Sequence, residues 1–510
     1  MGYNDTSFKA YSEFVGGQNN SSASDNVSDN EVRLATNMDV ILRGALRTRK
    51  GTVATTWGCM TALTSDKIPS KLAEFSTPAG VLIQLVLVDG SLYRRDNATA
   101  LLTGCGTYMD FTVYNNKVYM FIKTSYYTYD GTTLAEVTNA QVDSQLATIK
   151  KCKYIVARGE RVFCSGNPDS PNSLYYSQIG DPTYFKTGGF VVQAASADGD
   201  FITGLAEFNE TLLVFKSRGI WAWMGYSIVD DVKFVRLNVH TGTRHDATIT
   251  NVNSYLFFLG DDGVYAMRSA YSGGIDTVKI SSTIDNVMRG MSKDKTFNAT
   301  ATGLYAEGKY FLSFTRVTLN DTLIVCHVES GEEFKTLPWT QYAGLTSSSM
   351  LKSGDGNVYF GSASNKSIYC YDEDAFDDMG VPFDYEVQTK DYDMGSPIHL
   401  KKFKRVWIRS NQELEANTKY DVLIRIDYAT VEYLEEDGTE SLVWSKGSWG
   451  EDKWGWIDTV TRAFKSNRKG LRCSVNLKGT SNSTNLNRLF LFGVAFMYKA
   501  KKPYKEREEA

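Results

Sequence analysis

The chain has 510 residues, 13% of them aromatic, with 30 Tyr and 26 Phe against 9 Pro. Such a length is too great for one ordinary core, and the aromatic, Gly-rich and Pro-poor composition suits many short strands joined by tight turns. With 55 Lys+Arg against 59 Asp+Glu the net charge is −4, which excludes a global field for gripping nucleic acid, and no run approaches the roughly 20 apolar residues of a membrane helix. The sign is unevenly placed: residues 390–510 hold 22 basic and 17 acidic side chains, so the remainder carries −9.

In chain order, the start is polar with no apolar signal segment, and residues 16–31 read as an extended, partly disordered arm. Glu31 to Met38 reads as a short helix. Val40 to Leu46 reads as strand, turn, strand, and the strands around Val40 to Thr56 are candidates for closing a ring of sheets. From Val81 to Tyr371 one pattern recurs: an apolar strand, a turn, then an aromatic-rich strand. Examples are Leu212-Leu213-Val214-Phe215 before Ile220-Trp221-Ala222-Trp223, and Leu256-Phe257-Phe258-Leu259 before Val264-Tyr265-Ala266-Met267. The repeat centres fall near Asp89, Tyr119, Phe163, Leu213, Phe258, Phe311 and Tyr359. That is the spacing of β-propeller blades, about seven of them.

The pattern breaks near Asp372 to Asp378, and longer alternating strands follow, as in Phe403 to Arg409 and Tyr420 to Asp427. These predict a second all-β domain of sandwich type. The predicted organisation is an arm with closing strands over 1–56, a propeller over 57–380, a β-sandwich-like domain over 381–498, and a charged, mobile tail over 499–510.

Chemistry is sparse. Four histidines leave few histidine-based mechanisms open. The seven cysteines are scattered, without CxxC spacing, and read as buried free thiols of a reducing compartment. No P-loop, dinucleotide fingerprint or nucleophile elbow occurs. The turn Ser353 to Phe360 departs from the Ser-x-Asp-x-Gly-x-x-Trp pattern of glycan-acting propellers at Asn357 and Phe360. The acidic run Asp372, Asp374, Asp377 and Asp378 suits a solvated linker better than a calcium loop. The predictions are accordingly no enzyme activity, no cofactor and no metal. Two sets of residues remain as interaction candidates. Lys401, Lys402, Lys404 and Arg405 lie on a basic strand that reads first as half-solvated, with Phe403 on one face and Lys402 and Lys404 on the other. Trp449, Trp454 and Trp456 sit among Gly, Asp and Lys as an exposed aromatic surface.

Several strings occur in a telling order. Asn37-Met38-Asp39 and Gly44 to Gly51 come first, then Leu174 to Pro182, Ile202 to Leu205 with Leu213 to Lys216, Phe258 to Tyr265, and Thr389-Lys390 with Met394 to Pro397 and Lys401. The series resembles the β-propeller nozzle or hub proteins of tailed bacteriophage virions, over most of the chain. The resemblance implies a non-enzymatic ring component, typically a homohexamer, assembled in the host bacterial cytoplasm. Its neighbours would be adaptor or portal-proximal proteins and tail-fibre or tail-tip proteins, and its lumen would retain and conduct double-stranded DNA. The competing reading is a carbohydrate-binding or carbohydrate-cleaving propeller acting on host surface glycans, with the tryptophans stacking on sugar rings.

Overall fold

The structure is a computed structural model that describes residues 6–503 except 42–43, 62, 64–66, 188–190, 194–197, 225–232, 238, 270–274, 293–300, 330–336, 411–419, 428, 434–459 and 482–487. Seven sets of four antiparallel strands form a β-propeller. Blade 1 begins with Pro69–Ser76 and Leu82–Val88, and blade 2 runs Met109–Tyr114, Lys117–Ile122, Ser125–Tyr129 and Leu134–Glu136. Blades 3, 4 and 5 begin with Tyr154–Arg158, Ile202–Phe208 and Thr250–Val252. Blade 6 runs Thr302–Ala306, Lys309–Phe314, Thr322–His327 and Trp339–Tyr342, and blade 7 begins with Ser349–Lys352. The hairpins owe their tightness to local chemistry. Asn115 and Asn116 both adopt the left-handed conformation (φ 47° and 57°), as do Asn209 and Glu210 (47° and 60°), which matches the twist of a two-residue I′ turn.

The aromatic half of the repeat is what joins the blades. Edge-on ring pairs cross successive blade interfaces: Phe75–Tyr129 at 5.7 Å, Phe163–Trp223 at 5.6 Å, Phe215–Phe258 at 5.3 Å, Phe257–Tyr310 at 5.3 Å and Phe311–Phe360 at 5.5 Å. Each such pair adds about 0.5–1.5 kcal/mol to its area burial. The first strands of neighbouring blades touch, blade 4 meeting the turn Asp246–Thr248 that leads into blade 5, and Ser349–Lys352 meets Pro69–Ser76, closing the ring. There the Leu72 amide donates to Ser349 Oγ at 2.8 Å. Gly51–Ala54 supplies the fourth strand of blade 7, with Thr52 opposite Tyr371. A ring closed in this way hides the sheet edges that would otherwise recruit other chains.

The second body is a sandwich. One sheet contains Val460–Gly470, His399–Ser410, Phe490–Pro503 and, against the last of these, Thr6–Ser12. The other contains Glu31–Thr36, Asp384–Thr389, Cys473–Thr480, Tyr420–Ile426 and Ala429–Tyr433. One apolar core, including Tyr11, Val32, Val387, Phe403, Val422, Leu477 and Phe496, lies between them. The second sheet runs on without a break, through Gly17–Gln18, into Trp339–Tyr342 of blade 6, giving ten strands in all. Propeller and sandwich therefore cannot hinge at this seam without breaking ladder hydrogen bonds.

Three expectations are corrected here. Residues 31–36 are a strand, because pairing with Asp384–Thr389 and Gln341 overrides local helix preference. The arm is extended but ordered by the fold: Gln18 is fully buried and its side chain accepts from the Ala35 amide at 3.1 Å. Lys499 to Pro503 continue a strand paired with His399–Ser410, while 504–510 lie outside the described residues.

Candidate functional site at the propeller–sandwich junction

The segment Asn37 to Gly51 threads between the two bodies and carries two buried charges, Asp39 and Arg49. Gly51 is needed there because a Cβ would lie 2.1 Å from the Asp377 carbonyl. That close approach lets the chain pair on both sides, with the Gly51 amide donating to the Ala375 carbonyl at 2.8 Å and the Thr52 amide to the Asp377 carbonyl at 2.9 Å. Arg49, wholly buried, then reaches a fixed set of acceptors. Its Nη1 and Nη2 donate to the two oxygens of Asp378 at 2.9 and 2.5 Å, and its Nε to Asn37 Oδ1 at 2.9 Å. The guanidinium lies 3.9 Å from the Phe383 ring centre. Asn37 is itself buried in the left-handed conformation (φ 54°). Its Oδ1 also accepts from the Ala343 amide at 2.9 Å, and its Nδ2 donates to the Asp384 carbonyl at 2.6 Å. These residues bind arm, blade 6, blade 7 and sandwich at one point.

Beside them Asp39 takes a hydrogen bond from Lys309 Nζ at 2.7 Å and another from the Tyr342 hydroxyl. Tyr371 joins through Lys309 at 3.2 Å and Tyr342 at 3.0 Å. Burial alone would push Asp39 up and Lys309 down; their attraction and hydrogen bonds outweigh it, holding the carboxyl below and the ammonium above their usual ranges. His327 bonds Thr340 Oγ1 through Nε2 at 2.8 Å. Burial keeps it neutral, with Asp39 opposing and Lys309 and Arg47 adding, and pushes it from 6.5 down to about 3. A depressed histidine contributes stability that is present above 6.5 and lost as pH falls toward 3. Between pH 7 and 5 the protein is thus expected to lose about 2 kcal/mol through this group. Urea midpoints at the two pH values, compared with those of His327→Gln, check it: the variant should lack this part of the loss.

Around the propeller axis the polar groups serve the ring. Asp110 accepts from the Ile155 amide of the next blade at 2.9 Å, and burial pushes its carboxyl up to about 7. Tyr108, ahead of blade 2, donates to Asp246, ahead of blade 5, at 2.8 Å. This bond links two non-adjacent blades across the middle of the ring.

The candidates from the sequence are dispersed. Lys401 is buried, its ammonium donating to the carbonyls of Ser396, His399 and Leu471 at 2.6, 2.9 and 2.7 Å, and is a structural group rather than a surface one. Lys402 and Lys404 are half-buried and Arg405 is exposed on the outer side of their strand. Trp449, Trp454 and Trp456 lie outside the described residues. Asp378 of the acidic run is taken up by Arg49, and Glu373 pairs with Lys50 at 2.7 Å and Arg488 at 2.7 Å. Sequence reasoning missed Arg49, Asn37, Asp39 and Lys309; the only signal was that three of the four fall in strings that carried the resemblance.

The fold defines a seven-bladed β-propeller fused edge-on to a β-sandwich. No protein-family model and no curated protein matches the chain. Among solved structures it is similar to the extracellular domain of a putative one component system, BT4673, from B. thetaiotaomicron, at 10% identity, TM-score 0.43, covering 92% of this chain and 63% of that one. It is also similar to BamB from Moraxella catarrhalis (10% identity, TM-score 0.31, 64% and 97% covered). A third is the dihydro-heme d1 dehydrogenase NirN (12% identity, TM-score 0.37, 67% and 76% covered). The chain spans 44% and 63% of the length of two such extracellular-domain structures it matches. At such distances the likeness concerns the all-β, propeller-like fold alone.

Proposed function

We propose that this protein is a non-enzymatic structural component of a bacteriophage tail, a nozzle or hub subunit whose homo-oligomeric ring forms part of the channel that retains and conducts double-stranded DNA. The observation that carries the reading is the rigid fusion of propeller and sandwich by one continuous ten-stranded sheet. Its buried charged groups at the junction face one another rather than a cleft. Such a block is suited to transmitting load between neighbours. The Tyr108–Asp246 bond between non-adjacent blades supports placing the DNA conduit between subunits rather than through a propeller. An acidic propeller would neutralise few phosphates and let DNA slide.

Native mass spectrometry of the purified protein tests the ring, with a closed oligomer of identical subunits, six in the leading version, as the expected species. Monomer alone at high concentration would overturn it. Binding on a glycan array, or loss of polysaccharide viscosity on incubation, would instead favour the carbohydrate-active reading.

A further inference from the structure

Four neighbouring strands of the sandwich, Thr6–Ser12, His399–Ser410, Val460–Gly470 and Phe490–Pro503, contain no Asp or Glu and 13 Lys or Arg, in a chain whose net charge is −4. Their inner face, with Phe403, Val406, Ile408, Phe464 and Phe496, is buried in the core. Alternation places Lys402, Lys465, Lys469 and Lys499 on the outer face, whereas Lys401 is buried on the inner one. The register stacks them directly opposite one another: Lys402 faces Lys469 on one side and Lys499 on the other, and Arg405 faces Lys465. A bulge between Phe403 and Arg405 adds Lys404 to the same side as Arg405. Like charges directly opposite in a sheet are destabilising. Among the described residues none of these six has an ion-pair partner. Among the described residues the sheet thus presents a like-charged lattice, with rows about 7 Å apart along the strands, that a bound polyanion would relieve.

We infer that the outward face of this sheet is a contact surface for the phosphate backbone of duplex DNA. A protein partner is the poorer fit, because lysine is depleted in protein–protein interfaces and five of the six cations are lysines, whereas interfaces with DNA are far more positive. The half-buried Trp407 and the exposed Phe8, with rings 5.4 Å apart, give the lattice an apolar border. The inference deepens the proposed tail role by locating its DNA contact, and rests on that reading for its biological setting.

The test is fluorescence anisotropy of a random-sequence duplex with the full-length protein at 50 and 200 mM salt. Six phosphate contacts predict a slope of log K on log salt of about −5 and a roughly thousandfold loss between the two conditions. Lys402→Gln/Arg405→Gln/Lys469→Gln should flatten the slope by about 3, while Lys352→Gln on the propeller should leave it unchanged. Lys402→Gln alone should weaken binding and also raise the melting temperature, because it relieves the Lys469 and Lys499 repulsion; a merely structural lysine would lower it. Unchanged DNA binding in the triple variant overturns the inference, whether or not rings still form. Loss of self-association instead, with DNA binding intact, would make the face a contact between copies. Rings with wild-type DNA binding in the triple variant would sink the surface and spare the tail role, whereas wild-type protein that forms no rings, with DNA binding that the triple variant loses, would do the reverse.

Discussion

Replacing Arg49 by methionine is expected to destabilise the protein by about 3–5 kcal/mol, the cost of stranding a buried partner charge. Asp378 would keep its carboxylate with only the 3.2 Å Thr52 hydroxyl and lose both charge-assisted donors. Asn37 would lose one donor to its Oδ1, and the Phe383 ring its cation. Arg49→Lys should recover little, because an ammonium cannot present the planar fork that spans Asp378 and Asn37 together. Pairing Arg49→Met with Asp378→Leu should restore much of the loss, since removing both charges avoids leaving either one buried alone. Urea midpoints of the three variants separate these outcomes. A loss below about 1 kcal/mol in Arg49→Met would place the junction's strength elsewhere.

The second large effect is expected at Tyr11, where the arm enters the sandwich core. Its ring stacks on Tyr392 at 4.0 Å and meets Phe496 edge-on at 6.1 Å, and it is 6% exposed. Tyr11→Ala should cost about 3–5 kcal/mol, the range for emptying a buried aromatic site. Tyr11→Phe should cost under about 1 kcal/mol, because the hydroxyl reaches only Met394 sulfur at 4.0 Å. Thermal melts of the two variants decide it. Equal, small losses in both would mean that the arm strand, paired from Thr6 opposite Lys499 to Ser12 opposite Gly493, is held by its backbone alone.

What was legible in the sequence follows from the range of the interactions. The blades were readable because each hairpin is local: the two turn residues Asn115 and Asn116 join strands paired from Tyr114 and Lys117, and the aromatic strands recur at blade spacing. The sandwich was readable from period-2 alternation in Val406 to Arg409 and Val422 to Ile426. Glu31–Thr36 was not, because its partners lie about 350 residues later and its own composition suits a helix. Arg49 was visible within a string but not as a junction, since Asp378 is 329 positions away. Lys401 was misassigned although parity carried the answer: it shares a strand face with Phe403, which is buried, whereas Lys402 lies on the other side. The charge purity of four strands was equally in the sequence, but only the register shows that strands so far apart in the chain meet in one sheet.

The most direct test of the account is electron cryomicroscopy of the particle that carries this protein. The account predicts a ring of identical subunits in the tail, with duplex DNA density in a lumen formed between subunits and no DNA within a propeller axis. A particle in which the protein is absent, or sits as isolated copies on the surface grasping glycan, would contradict it.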